Sequence, residues 1–113
     1  MSQITTHILD TALGEPAQGI VVSLHRQAGS GWVEMGAGKT NEDGRYGELC
    51  SSDEVLEEGL YRMQFATSEY FKRIHSPVFY PWVDVVFHVE GDGRHYHIPL
   101  LLSPYGYSTY RGS

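Results

Sequence analysis

A single cysteine, Cys50, among 113 residues excludes an internal disulfide; this fits a reducing compartment and leaves at most a free thiol. Basic residues are scarce too: eight Lys and Arg stand against fourteen acids, for a net charge of -6. Phosphate recognition needs a concentrated basic surface, so this balance argues against nucleic acid as a partner. No apolar run approaches the ~20 residues of a membrane-spanning helix, and no membrane partner is expected. Residues Met1 to Asp10 have neither a basic start nor an apolar core of signal-peptide length. The closing Arg111-Gly112-Ser113 is not a peroxisomal tripeptide of the Ser-Lys-Leu kind. The cytoplasm is therefore the expected location. No internal repeat, linker or low-complexity segment interrupts the chain, and one domain over residues 1–113 is expected.

What is present is alternation with a period of two, broken by turn residues. Ile4 to Leu13 reads as a strand closed by Gly14-Glu15-Pro16, with His7 and Leu9 on one face and Thr6 and Ile8 on the other. Gly19 to Gln27 sets Ile20, Val22 and Leu24 against Val21, Ser23 and His25. After the Ala28-Gly29-Ser30-Gly31 turn, Trp32 to Thr40 is its hairpin partner. Asn41-Glu42-Asp43-Gly44 is a turn that delivers Arg45-Tyr46-Gly47 into a short strand; it lacks the spaced acids of a calcium loop. Ser51 to Gly59 is a polar loop, and Leu60 to Ala66 resumes alternation. The one helix signal is Thr67 to Ile74, where a Thr or Ser cap precedes an acid and the last turn is basic. Phe79 to Glu90 is a long strand closed by Gly91-Asp92-Gly93. About eight short strands and one short helix make an all-β sandwich the expected architecture.

The carboxy-terminal stretch carries the chemistry. Chain ends ordinarily fray into small polar residues, but His95 to Ser113 holds two histidines, four tyrosines and an arginine. His95, His97, Pro99 and Leu101 share one strand face. Beyond the Ser103-Pro104 turn, Ser108, Tyr110 and Gly112 share a face of the following antiparallel strand. A His-x-His pair with His7 as third ligand would suit zinc if the first strand lay beside the penultimate one. No carboxylate or cysteine sits at ligand spacing, and no metal is expected. The same imidazoles suit metal-free acid–base work, since a pKa of ~6.5 leaves both forms populated near neutrality. Arg45 and Arg111 are candidates to hold developing negative charge. For His25, His75 and His88 a structural role is the expectation. Cys50 has no histidine partner visible in the sequence and is not expected to be a nucleophile.

At both ends the sequence resembles the 5-hydroxyisourate hydrolases, also called transthyretin-like proteins. His7-Ile8-Leu9-Asp10-Thr11-Ala12-Leu13-Gly14-Glu15-Pro16-Ala17 resembles the family's amino-terminal signature, and Leu100 to Ser113 the carboxy-terminal one. The closing Tyr110-Arg111-Gly112-Ser113 resembles the tetrapeptide that separates the enzymes from transthyretin. The resemblance implies a transthyretin-like sandwich of two four-stranded sheets with one short helix. It further implies a homotetramer whose central channel holds active sites at the dimer-dimer interface. The implied reaction is hydrolytic opening of the six-membered ring of 5-hydroxyisourate in urate degradation, without metal or cofactor. By position, the implied site residues are His7, Arg45, His97 and Tyr110 to Ser113. His7, His97, Arg45 and Ser113 take the catalytic part; His7, Arg45, Tyr110 and Ser108 are expected to bind substrate. His95 matches a histidine of the same motif without an assigned part. Two rivals remain: a non-catalytic carrier of aromatic ligands, as transthyretin is, and a zinc enzyme built on His7, His95 and His97.

Overall fold

The computed structural model describes residues 2–112. Nine strands and one helix follow in the order β1 Ile4–Asp10, β2 Glu15–Pro16, β3 Val21–Ala28, β4 Gly31–Lys39, β5 Arg45–Tyr46, β6 Gly59–Ala66, α1 Ser68–Arg73, β7 Val83–Val89, β8 Tyr96–Ser103 and β9 Gly106–Thr109. They form two facing sheets. One has the order β4-β3-β6-β7; the other runs β2-β1-β8-β9, with β5 as a fifth, two-residue strand that also pairs with β1. The alternation explains the layering: Ile4 and Ile8 from β1 and Ile98, Leu100 and Leu102 from β8 face Val22, Leu24, Met63 and Phe65 across a dry core. Burial of each such side chain is worth roughly 1.5–3 kcal/mol.

The register between β1 and β8 decides which side chains share the outer face. The two strands run parallel, with Thr5 opposite His97, His7 opposite Pro99 and Leu9 opposite Leu101. Since Ile4, Ile8, Ile98 and Leu100 are the inward set, Thr5, His7, His97 and Leu101 all emerge on the outer face. The other edge of β1 is shared: β2 pairs with Leu9 and Asp10, and β5 sets Arg45 opposite His7. The 41–44 turn makes that placement. Asn41 Oδ1 accepts from the N–H groups of Asp43 (2.9 Å) and Arg45 (3.0 Å). Gly44 takes φ +75°, and a Cβ there would run into the Ile8 carbonyl, so glycine is required on both counts.

Two expectations change. The strand expected from Phe79 begins only at Val83, because Pro81 has no N–H for a ladder and the carbonyls before it are taken. Thr67 Oγ1 donates to the Tyr80 carbonyl (2.7 Å), and Ser68 N–H to that of Pro81 (3.0 Å). By the same contact, Thr67 is the N-cap residue of α1 without capping it through its side chain. Glu69 in the first turn and Lys72 and Arg73 in the last fall as expected. The helix ends at Arg73 with Ile74 as its C-cap, and the next residue, His75, takes φ +58° where a glycine is usual.

One buried charge ties the helix to the sheet. Asp10 is 2% exposed, and its carboxylate accepts from the Tyr70 hydroxyl (2.6 Å) and the N–H groups of Ala12 (3.0 Å) and Leu13 (2.9 Å). Burial, and next this hydrogen bond, push the Tyr70 phenol well above its ordinary pKa. A buried carboxylate so fully satisfied is structural.

Candidate active site

On the outer face of the β1–β8 pair lies a cavity of about 670 Å³ whose lining includes His7, Arg45, His95, His97, Tyr110 and Gly112. Its floor follows from register alone. His7 on β1 stands between Arg45 on one side and the His97–Pro99 edge of β8 on the other. Neighbouring strands bring such side chains within about 5 Å of one another at Cβ. The wall is the tail. β9 pairs with β8 through Leu100–Thr109 and Leu101–Ser108, and the Gly112–His97 bridge carries that register to the end of the described chain.

Alternation along the tail then separates its residues by function. Tyr110 and Gly112 fall on the cavity side. Arg111 falls on the other, its guanidinium 4.6 Å above the Tyr96 ring, so it anchors the tail and does not line the cavity. Gly112 N–H donates to the His97 carbonyl (2.8 Å). A Cβ on Gly112 would stand 2.6 Å from His97 Cδ2, closer than non-bonded carbons approach, so only glycine lets the tail lie against that imidazole.

Both central imidazoles are held toward their neutral form. His7 lies below the ordinary imidazole pKa, first through burial and then through the Arg45 guanidinium; a hydrogen bond to the Asp43 backbone and the Asp43 carboxylate pull weakly the other way. His97 is lowered by burial, then by Arg45, His7 and His95. A neutral imidazole beside a fixed guanidinium joins a lone pair for a proton to a cation for a developing oxyanion. That combination fits addition of water to a carbonyl.

The expected residues thus divide. His7, Arg45, His97 and Tyr110 line one cavity. Ser108 lies on the same sheet face but farther along, opposite Leu101, and does not line it. Ser113 lies outside the described residues. His25 and His88 are elsewhere: His25 is buried on β3 with Nδ1 3.3 Å from the Arg62 carbonyl, and His88 sits on β7 between Glu58 and Glu90. Among the described residues no three of His, Cys, Asp and Glu are grouped to hold a metal ion. The ring nitrogens of His95 and His97 turn instead to the hydroxyl of Thr5, at 3.1 and 2.8 Å. Thr5 is a site residue that the sequence pattern does not single out. Its face could be read from the alternation with His7, but the contact depends on strands some ninety residues apart in sequence.

Comparison with known proteins gives one consistent set of likenesses. The family model "HIUase/Transthyretin family" matches residues 4–112. A 5-hydroxyisourate hydrolase of Caulobacter vibrioides is 45% identical over 117 residues, covering 100% of both chains. Among solved structures, the 5-hydroxyisourate hydrolase of Klebsiella pneumoniae superposes with a TM-score of 0.83 at 35% identity, covering 97% of this chain and 98% of that one. Sea bream transthyretin in complex with thyroxine gives 0.90 at 30% identity, covering 97% and 94%.

Proposed function

This chain belongs to the HIUase/Transthyretin family, and from that premise we propose that it hydrolyses 5-hydroxyisourate at the cavity between β1, β5, β8 and the tail. The observation that carries the proposal is the convergence of two imidazoles held toward neutrality and one guanidinium on a single concave face. A neutral His7 or His97 takes a proton from water as its oxygen adds to the ring carbonyl carbon. Arg45 holds the oxyanion that forms. Collapse of that intermediate breaks the ring C–N bond, and the imidazolium returns its proton to the departing nitrogen. The product is 2-oxo-4-hydroxy-4-carboxy-5-ureidoimidazoline, and the step needs no cofactor. Tyr110 closes one side of the cavity over the substrate, and Ser113 keeps the catalytic part that the family resemblance implies for it.

The working form is a homotetramer in the cytoplasm, with residues 1–113 as its single catalytic domain. Among the described residues no helix is long and apolar enough to cross a membrane. Half-buried Leu9 and Leu101 border the site on the outer face. Pro99, expected there too, is already buried within the chain. The edge strands β7 and β9 carry exposed Val86 and Tyr107. Apolar surface of this kind is what a partner chain covers. Light scattering should give four times the mass of one chain; a monomer with full activity would contradict a shared site.

The rival is a carrier, favoured by the likeness to a thyroxine-binding structure. Tyr110 tells against it, because a phenol on the cavity side shortens the space open to a long two-ring ligand. The test is direct. 5-Hydroxyisourate is generated from urate in place and its ultraviolet decay followed with and without the protein. Acceleration over the spontaneous reaction is expected; tight thyroxine binding without acceleration would establish the carrier.

A further inference from the structure

Thr5 takes no part in the chemistry above, yet its hydroxyl touches two of the cavity's imidazoles. Oγ1 lies 2.8 Å from His97 Nδ1 and 3.1 Å from His95 Nε2. The residue is 6% exposed, and the parallel register holds it opposite His97. A hydroxyl has one hydrogen and two lone pairs, so it can donate to only one of the two rings. If the hydrogen goes to His97 Nδ1, that ring carries its own hydrogen on Nε2 and has no lone pair for a water proton. If it goes to His95 Nε2, His97 donates Nδ1–H to Oγ1 and keeps its lone pair on Nε2. Only the second arrangement makes His97 a base.

It also survives the reaction unchanged. When Nε2 takes the water proton, the imidazolium still donates Nδ1–H to Thr5, and Thr5 still donates to His95. When Nε2 returns the proton to the departing ring nitrogen, the starting set is restored. No hydrogen bond has to turn over during the step. The arrangement gives the His95-Tyr96-His97 spacing a reason, because two residues apart on one strand both rings reach the same hydroxyl.

Resting on the hydrolase reading, we propose that Thr5 is a positioning residue: with its hydroxyl donated to His95, it holds His97 in the Nδ1–H tautomer and leaves Nε2 to receive the proton. His95 acts through Thr5 and does not itself touch the reacting atoms.

The experiment compares wild type with Thr5→Val, which removes the hydroxyl at nearly constant shape, Thr5→Ser, which restores it, and His95→Phe, which alters only an exposed ring. Thr5→Val should lower kcat about 10–100-fold with little change in KM, as loss of an imidazole's orienting partner does elsewhere. Thr5→Ser should recover most of it. His95→Phe should lower kcat in the wild-type background and add nothing in Thr5→Val, because the two act in series. Nitrogen-15 NMR of the rings, independent of turnover, should show His97 protonated at Nδ1 in the wild type and redistributed in Thr5→Val. An Nε2–H His97 in the wild type, or wild-type kcat in Thr5→Val, would overturn the proposal. A wild type that does not hydrolyse the substrate would instead sink the hydrolase reading, and the tautomer spectrum would still decide the part of Thr5.

Discussion

The outer faces of the two sheets use the same side chains to opposite ends. On the β4-β3-β6-β7 sheet His25 is paired across strands with both Glu34 and Arg62. Its Nε2 is 3.9 Å from the Glu34 carboxylate, and its Nδ1 meets the Arg62 carbonyl. The Arg62 guanidinium is laid over the Trp32 ring, 4.9 Å from its centroid. On the β2-β1-β8-β9 sheet His7 and His97 face a guanidinium across an open cavity, and that cation helps hold them neutral. The contacts of His25 are with protein groups at both ring nitrogens, whereas His7 and His97 line open space beside a cation, the setting that suits a neutral imidazole to take a proton. Residue type does not decide between them, but the sign of the nearest charge and the space around the ring do.

The comparison is broken most directly by removing its imidazoles one at a time. Asn in place of His7 or His97 should lower kcat by roughly 10²-fold or more, the usual worth of a general base. Asn in place of His25 should leave the rate near that of the wild type, whatever it does to thermal stability. Equal losses at all three would mean that the faces are not functionally distinct. Next in size is Arg45→Gln, for which loss of the oxyanion partner should reduce kcat about 10²-fold, while Arg62→Gln on the opposite face should not. A smaller effect, up to about 10²-fold for a displacement near 1 Å, is expected for Gly112→Ala. There the new methyl pushes the tail off His97 without touching the core. Circular dichroism alongside the rates separates these from unfolding.

Much of the site is legible in the sequence alone. Alternation places His7, His97, Ser108 and Tyr110 on outer faces and Ile8, Ile98 and Leu100 inside, because a strand has only two sides. The Asn41–Gly44 turn announces itself through side-chain chemistry that is local. What cannot be read depends on contacts distant in sequence. That β1 and β8 run parallel fixes Thr5 opposite His97, and no local pattern encodes it. Thr67 has the sequence of a helix cap and is one by position, but its hydroxyl finds Tyr80 instead. Arg111, equal to Arg45 as a candidate by type, is separated from it only by which side of the tail meets Tyr96.

If a neutral His7 or His97 is the base beside Arg45, the pH dependence of kcat/KM should show it, since that ratio reports the ionisation of the free enzyme. Both pKa values are lowered, so the neutral rings should persist to more acid pH than a free imidazole. Activity should therefore hold through pH 6.5, the ordinary value, and fall only below it. In Arg45→Gln, burial would remain while the cation's contribution is lost, so the residual activity should fall at higher pH than in the wild type. A wild-type acid limb at or above the ordinary imidazole value, or one that stays in place when Arg45 is replaced, would contradict the account.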